Sequence, residues 1–167
     1  MAKILIIGSS GGIGAALVHA HRTRGDQVTG LSRSVDGFDI TDAASVAAGL
    51  EGLGSFDRVI VATGALSIEG AAPEKTVKAI TPDAMAAQFA LNTIGPALVL
   101  AQAHRLLDRK APGVIAVLSA RVGSIGDNQI GGWVSYRAAK AAVNQVVHTA
   151  AIELARTHKE ASVVALH

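Results

Sequence analysis

The stretch ILIIGSSGGIGAALV, residues 4–18, decides the fold of this chain. Its first four residues are apolar and predict a buried strand, and a helical pattern begins directly behind the glycine-rich segment GSSGGIG at residues 8–14. Gly8, Gly12 and Gly14 allow the backbone to turn tightly and to approach a pyrophosphate, whose negative charge would face the amides and dipole of the helix N-terminus. The stretch therefore predicts a dinucleotide site, and the alternative is a glycine-rich turn without a ligand.

The same alternation of strand and helix continues through the chain. Further short runs rich in β-branched residues predict strands at residues 27–31, 58–62, 114–118 and 162–166. Helices are predicted in the remaining segments, at residues 15–24, 41–50, 81–109 and 136–156. Apolar residues follow one another in these strands, which is typical of parallel strands buried on both faces. We expect one α/β domain over residues 1–167, a doubly wound, Rossmann-like parallel sheet that binds ligands at the carboxyl ends of its strands.

Composition excludes several classes of function. The 15 basic and 13 acidic residues give a net charge of +2 and are scattered, so no nucleic-acid partner is expected. The chain has no cysteine, which excludes disulfides and thiolate catalysis and suits a reducing cytoplasm. No apolar run reaches the roughly 18 residues of a membrane span, so we expect a soluble protein without a membrane partner. The six histidines lack metal-ligand spacing backed by carboxylates, and no metal is expected.

A tyrosine and a lysine near the last predicted helix are candidates for acid–base chemistry. Tyr136 and Lys140 are four residues apart, so on a helix they share one face. A nearby ammonium favours phenolate and is expected to lower the pKa of the phenol from about 10, so that it can exchange a proton with a carbonyl oxygen. Such a pair is common on helix surfaces when it occurs alone, but its combination with the glycine turn favours catalysis. Tyr136 is also the only tyrosine in the chain.

A third candidate lies inside the predicted helix of residues 81–109. Pro96 follows Asn92 by four residues and has no amide hydrogen, so the Asn92 carbonyl loses its helical partner. The freed carbonyl could hold a water next to Lys140. The alternative is a simple packing kink at Gly95 and Pro96.

Two further polar segments follow predicted strands at the edge where ligands bind. Asp39 and Ile40 come after the second strand, and Thr63 and Gly64 come after the third. In a doubly wound sheet the adenine and ribose of a dinucleotide run along this edge. Asp39 could equally be a turn residue.

These motifs occur in an order that resembles the short-chain dehydrogenase/reductase family. The resemblance covers essentially the whole chain and rests on the following residues: the glycine turn at 8–14, Asp39-Ile40, Thr63-Gly64-Ala65, Asn92, Tyr136 and Lys140. Within the family, the segment LSARVGSIGDNQIGGWVSYRAAKAAVNQ, residues 118–145, is similar to C-factor-like cell-signalling proteins and small carbonyl reductases.

The resemblance implies a nicotinamide-dependent oxidoreductase that transfers hydride between the cofactor and a small carbonyl or alcohol substrate. Tyr136 would donate or accept the proton, Lys140 would hold the nicotinamide ribose and lower the phenol pKa, and Asn92 would join the proton relay. Cofactor contacts are expected from Gly8, Ser10, Gly12, Ile13, Gly14, Arg33, Asp39, Ile40, Thr63, Gly64, Tyr136 and Lys140. The alternative is a C-factor-like dinucleotide-binding signalling or regulatory protein with little turnover.

The chain departs from the family pattern at the serine that holds the substrate oxygen. The aligned position is Ala120, so either Ser119 serves, or Ser124 takes over, or the hydrogen bond is absent; we favour Ser119. Family members also continue beyond the last strand with a substrate-covering segment, whereas this sequence ends at His167. We therefore expect either a chain that is truncated at its C-terminus and lacks that segment, or a disordered tail beyond His167.

The end of the second strand bears on which cofactor binds. Folds that use NAD place an acidic side chain about 20 residues beyond the glycines, to bind the ribose 2′-hydroxyl. This chain has Ser32 and Arg33 there, and a guanidinium can bind a 2′-phosphate through paired hydrogen bonds, so NADP(H) is favoured over NAD(H). The alternative is a solvated Arg33, with Asp36 serving the 2′-hydroxyl.

The predicted helix of residues 136–156 indicates self-assembly. It is nearly apolar all round, so it needs cover both from the sheet and from a second surface. We expect a homodimer or homotetramer packed through this helix and the one at residues 81–109.

Overall fold

The computed structural model describes residues 1–167 and contains one sheet of five parallel strands in the order β2-β1-β3-β4-β5. This arrangement confirms the predicted doubly wound parallel sheet, and every strand lies within one residue of its predicted bounds. The strands are β1 Lys3–Ile7, β2 Gln27–Leu31, β3 Arg58–Val61, β4 Gly113–Leu118 and β5 Ala161–Leu166.

Seven α-helices connect and cover the strands. They are α1 Gly12–Thr23, α2 Arg33–Asp36, α3 Ala43–Leu50, α4 Pro82–Phe89, α5 Gly95–Leu100, α6 Ala103–Leu106 and α7 Val134–Leu154. None of them has both the length and the apolar character that crossing a membrane requires.

The expectation of one continuous helix over residues 81–109 was wrong. Thr81 caps the start of α4, where its hydroxyl accepts a hydrogen bond of 3.2 Å from the Ala84 amide. After α4, residues 90–94 form a π-helical turn in which the Gly95 amide bonds to the Ala90 carbonyl. The α-helical pattern cannot continue here because Pro96 has no amide hydrogen to donate. Two shorter helices, α5 and α6, complete the segment.

The core lies between the sheet and its covering helices. Val59, Val61, Ile115 and Val117 from the two central strands are fully buried, and Val143 of α7 packs in the same cluster. Aliphatic side chains of this size suit parallel strands that are covered on both faces.

The strand order places a crevice at one edge of the sheet. From β1 the chain crosses to β2 on one side, and then returns to β3 on the other side of β1. Adjacent connections therefore leave the sheet in opposite directions at the carboxyl ends of β1 and β3, and ligands of doubly wound folds bind at such a point.

Candidate functional site

Two neighbouring pockets form a cleft at this edge of the sheet. The outer pocket, of about 250 Å³, lies beside the ends of β1 and β2, and the inner pocket lies beside the start of α7. Both are lined by Gly11, Ala62, Thr63 and Gly64. Residues that line only the outer pocket include Gly8, Ser10, Ser32, Arg33, Phe38, Asp39 and Ile40. Those that line only the inner pocket are Gly12, Ile13, Leu118, Ser119, Tyr136 and Lys140.

The glycine turn is shaped by close backbone contacts that exclude side chains. Gly8 has a φ of +86°, and a Cβ on it would lie 3.0 Å from the Ala62 carbonyl oxygen. A Cβ on Gly14 would lie 2.0 Å from the Gly8 carbonyl oxygen. At Gly12, the first residue of α1, a Cβ would meet nothing within 4 Å. The N-terminus of α1 is therefore open toward the inner pocket, as an anion site requires.

Arg33 is exposed and lines the outer pocket at the first residue of α2. The carboxylate of Asp36 accepts hydrogen bonds from the Ser32 amide at 2.8 Å and from the Ser32 hydroxyl at 3.1 Å. Asp36 thus stabilises the start of α2 and is not among the residues that line the cleft. Across the pocket mouth, the Ser34 hydroxyl donates to the Ser10 hydroxyl at 2.9 Å.

Asp39 lines the outer pocket and also holds a turn, so both of its predicted roles are compatible with the structure. Its carboxylate accepts hydrogen bonds from the Thr41 hydroxyl at 2.7 Å and from the Thr41 amide at 2.9 Å. These bonds, with a smaller contribution from the Arg33 guanidinium, hold the pKa of Asp39 below its usual range. Ile40 next to it is buried beneath the pocket floor.

Thr63 carries the one buried side-chain polar atom without a hydrogen-bond partner, its Oγ1. An unsatisfied buried hydroxyl costs about 1–3 kcal/mol, which a polar ligand in the cleft would offset. Beside it, Gly64 has a φ of +138°, and a Cβ there would lie 2.8 Å from Asn92 Oδ1 and 3.0 Å from Lys140 Nζ. An unpartnered hydroxyl and a glycine-lined floor fit a dinucleotide that crosses from the outer to the inner pocket.

Asn92 is fully buried in the π-helical turn, below Gly64. Its amide group donates to the Ala65 carbonyl at 3.0 Å and accepts from the Ala65 amide at 3.2 Å. It also donates to Gln88 Oε1 at 2.7 Å. The helix is therefore interrupted where Pro96 predicted it, and the Asn92 side chain ties the turn to the loop after β3.

Lys140 is 2% exposed, and its Nζ donates to the Leu118 carbonyl at 2.9 Å. Burial lowers the pKa of Lys140 to about 8. The backbone around it is held by Gly123, where a Cβ would lie 2.8 Å from the Lys140 carbonyl carbon. Only glycine at this position lets the turn after β4 pack directly on α7.

Tyr136 is half-buried in the inner pocket, and Lys140 Nζ lies 5.7 Å from the centroid of its ring. The predicted direction of the phenol pKa was wrong for this structure, because burial raises the pKa of Tyr136. The ammonium lies over the ring and is bonded to the Leu118 carbonyl, so it does not offset the cost of burying a phenolate.

Ser119 lines the inner pocket together with Tyr136 and Lys140. Its hydroxyl donates to Asn144 Oδ1 at 2.6 Å, one turn beyond Lys140 on α7. The hydroxyl of Ser124 instead accepts a hydrogen bond of 3.3 Å from the Asp127 amide in an exposed loop. The structure thus brings Ser119, and not Ser124, to the cleft.

Sequence reasoning missed three polar residues that support the site: Glu74, Gln88 and Asn144. Glu74 is 8% exposed and accepts hydrogen bonds from the Ser135 hydroxyl and, at 3.3 Å, from the Ser135 amide. Burial alone would raise the pKa of Glu74, but the hydrogen bonds from Ser135 hold it below its usual range. Glu74 and Asn144 carry no sequence signal, because their partners Ser135 and Ser119 lie 61 and 25 positions away. Gln88 could have been found from its spacing of four residues from Asn92.

A family model and a similar protein both relate this chain to dehydrogenases. A family model described as short chain dehydrogenase matches residues 37–166. The 1-hydroxy-2-glutathionyl-2-methyl-3-butene dehydrogenase of Rhodococcus sp. (strain AD45) is 30% identical in an alignment 162 positions long, and the match covers 87% of this chain and 68% of that protein.

Two solved structures from Burkholderia multivorans are similar along most of the chain. One, described as a short-chain alcohol dehydrogenase, has a TM-score of 0.82 and 28% identity, and the match covers 96% of this chain and 81% of that one. The other, a short-chain dehydrogenase/reductase with bound NADP, has a TM-score of 0.76 and 26% identity, and the match covers 95% of this chain and 75% of that one. With the family model matched over most of its length, this chain belongs to the short-chain dehydrogenase family.

Proposed function

We propose that this protein is an NADP(H)-dependent oxidoreductase that transfers hydride between the nicotinamide and a small carbonyl or alcohol substrate in the cytoplasm. The observation that carries the proposal is the inner pocket, where Ser119, Tyr136 and Lys140 meet the open N-terminus of α1. A protein that only binds a dinucleotide has no need for a half-buried phenol beside a buried ammonium. The narrower likeness to small carbonyl reductases remains part of the proposal.

Arg33 supports the choice of NADP(H) over NAD(H). It is an exposed guanidinium at the outer pocket, while the nearby Asp36 is held by Ser32 and would have to break two hydrogen bonds to reach a ribose. A guanidinium binds a 2′-phosphate through charge-assisted hydrogen bonds, whereas a carboxylate would repel it. The Burkholderia multivorans structure with bound NADP supports the same choice.

In the proposed mechanism, a bound nicotinamide supplies hydride to the substrate carbon or accepts it from there. Tyr136 donates its phenolic proton to the carbonyl oxygen during reduction, and takes it back during oxidation of an alcohol. The raised pKa of Tyr136 keeps the phenol protonated and ready to donate at neutral pH. Lys140, with a pKa of about 8, remains mostly protonated there, and its ammonium would have to turn from the Leu118 carbonyl to stabilise the phenolate that is left. Ser119 can turn its hydroxyl from Asn144 toward the substrate oxygen.

Substrate reduction by the intact protein tests this proposal. NADPH and NADH are each offered with a panel of aldehydes, ketones and quinones, and loss of the reduced cofactor is followed by absorbance. We expect turnover with at least one class of carbonyl compound and a preference for NADPH. Tight cofactor binding without turnover of any substrate would favour the signalling alternative, and binding of neither cofactor would overturn both.

Assembly into a homodimer or homotetramer remains part of the proposal. Ile152 on α7 is 53% exposed and Ile94 in the π-helical turn is 49% exposed, which leaves apolar surface on the segments predicted to pair. Light scattering at micromolar concentration is expected to give at least twice the mass of one chain, and a monomeric mass would contradict it.

A further inference from the structure

A contact centred on the buried Glu74 and Ser135 joins the loop after β3 to the start of α7. We name its residues, Glu74, Gly132, Trp133 and Ser135, the Glu74 clasp. The Glu74 carboxylate accepts hydrogen bonds from the hydroxyl and amide of Ser135. The Glu74 carbonyl accepts a second backbone bond, from the Trp133 amide. A Cβ on Gly132 would lie 3.3 Å from the Lys75 carbonyl oxygen, so the two backbones run close together.

The start of α7 depends on this contact for its order. Trp133, which precedes the helix, makes no side-chain cap and has a φ of +52°, in the left-handed region that residues with a Cβ seldom adopt. The first amides of a helix lack partners within it, and Glu74 provides one to Ser135 together with a negative charge at the positive end of the helix dipole. Without Glu74, nothing else in the structure holds the Ser135 amide and hydroxyl.

We propose that Glu74 is a positioning residue for the reaction: through Ser135 it fixes the first turn of α7 and thereby the place of the Tyr136 phenol in the inner pocket. This inference rests on the proposed function, because it assigns Glu74 to the work of Tyr136. Tyr136 directly follows Ser135, so a shift in the first turn moves the phenol with it. A misplacement of about 1 Å in a reacting group can cost on the order of 100-fold in rate.

The clasp also joins two segments that each contribute residues to the inner pocket, Gly64 at the start of the loop after β3 and Tyr136 on α7. The loop that carries Glu74 begins at Gly64 and Ala65, and Ala65 is bonded to Asn92 by two hydrogen bonds. At the other end, Gly132 and Trp133 directly precede α7, and Ser135 lies in its first turn, next to Tyr136. The clasp therefore sets the relative position of the elements that contribute Asn92 and Tyr136.

Kinetics of clasp variants test the assignment. We expect Glu74→Ala to lower kcat about tenfold or more while the Kd for NADPH stays within about twofold, because the residues of the outer pocket are untouched. Glu74→Gln keeps an acceptor oxygen for Ser135. Its kcat is expected to fall less than that of Glu74→Ala, and it can replace Glu74→Ala in the test if that variant does not fold. Ser135→Ala removes the hydroxyl bond and keeps the amide bond, so it should lose part of what Glu74→Ala loses, and the double variant should lose no more than Glu74→Ala. Glu69→Gln, the same change at an exposed position of the same loop, is the control and should leave kcat unchanged.

Two spectroscopic signals report the clasp without any turnover, because the chain has one tryptophan and one tyrosine. Trp133 lies in the clasp and is 39% exposed, and its fluorescence emission should shift to longer wavelength in Glu74→Ala as the part that is still covered gains solvent. Absorbance titration of Tyr136 should show a phenol pKa closer to its ordinary value, since loss of position relieves the burial that raises it.

The outcomes separate the two proposals. If the parent turns over no substrate, the proposed function is rejected. If Trp133 fluorescence and the Tyr136 titration nevertheless both change in Glu74→Ala, the structural role of the clasp is still supported. Unchanged kcat and unchanged signals in Glu74→Ala would overturn the clasp alone. A loss of kcat that is matched by an equal loss of NADPH affinity, with the Tyr136 titration unmoved, would also overturn it, because Glu74 would then serve only general stability.

Discussion

The outer and inner pockets share one edge of the sheet but differ in what lines them. The outer pocket presents the backbone of the glycine turn together with Arg33, which is exposed to solvent. The inner pocket is lined by titratable side chains, the half-buried Tyr136 and the fully buried Lys140. Charge at an exposed position selects a ligand at little cost, whereas burial in the inner pocket raises the pKa of Tyr136 and brings the pKa of Lys140 down to about 8, nearer to neutral pH. The comparison indicates that the outer pocket serves cofactor binding and the inner pocket serves catalysis. Substitutions in the two pockets should therefore affect cofactor affinity and turnover separately.

The largest separation is expected from Tyr136→Phe, which removes one hydroxyl from the inner pocket and keeps the ring. Turnover should fall on the order of 1,000-fold or more, about 4 kcal/mol of transition-state stabilisation, because the proton donor is lost. The Kd for NADPH, measured by fluorescence titration, should stay within about threefold of the parent value. A variant that keeps turnover within about tenfold of the parent would show that Tyr136 is not the proton donor.

The next effect concerns the outer pocket and its backbone. Gly14→Ala places a Cβ 2.0 Å from the Gly8 carbonyl oxygen, so the turn must open. We expect a loss of roughly 2–4 kcal/mol in the free energy of unfolding, measured with denaturant, and a weaker hold on either cofactor. Gly12→Ala is the matched control for stability, because its Cβ meets no protein atom within 4 Å and alanine favours a helix. Equal stability of the two variants would contradict the role given to the Gly8–Gly14 contact.

The two pockets also differ in how far the sequence predicts them. The strands and the glycine turn follow from short local patterns, apolar runs and glycine spacing, and the structure reproduces both. The spacing of Tyr136 and Lys140 correctly placed them on one face of α7. It could not predict where the Lys140 ammonium points, and therefore gave the wrong direction for the pKa of Tyr136.

Residues that act through distant packing escaped prediction altogether. Glu74 lies in an irregular loop 61 positions before Ser135, its partner. Gln88 precedes Asn92 by one helical turn, and the contact that the sequence does not show is the hydrogen bond of 2.8 Å from its side chain to the Leu66 carbonyl, 22 positions away. A polar residue in either place would ordinarily be assigned to a solvated surface, because no periodicity marks it as buried.

Arg33→Ala tests whether the outer pocket selects NADPH over NADH. Loss of the guanidinium should weaken NADPH binding about 10- to 50-fold, roughly 1.4–2.3 kcal/mol, while NADH binding changes less than about twofold, since NADH has no 2′-phosphate. Titration of both cofactors into the parent and the variant measures the contrast. Arg121→Ala, an exposed arginine whose guanidinium is paired with Asp127 outside the cleft, is the control. Equal weakening of both cofactors by Arg33→Ala would show that Arg33 does not bind the phosphate.

The smallest effect concerns stability and comes from the burial of Lys140 in the inner pocket. Its folded-state pKa of about 8 lies below the ordinary value of 10.5, so between these values the unfolded chain binds more protons than the folded one. Stability must then rise with pH, because the folded state no longer holds a buried charge. We expect the free energy of unfolding to increase on the order of 1 kcal/mol between about pH 7 and pH 9.5, below the range in which Tyr136 deprotonates. Lys140→Met should abolish this rise and also abolish turnover, whereas Lys159→Met, at an exposed site, should keep both. If the free energy of unfolding of the parent does not change over this range, the inner pocket does not displace the pKa of Lys140. The inner pocket would then differ from the outer one in burial but not in the protonation of its side chains.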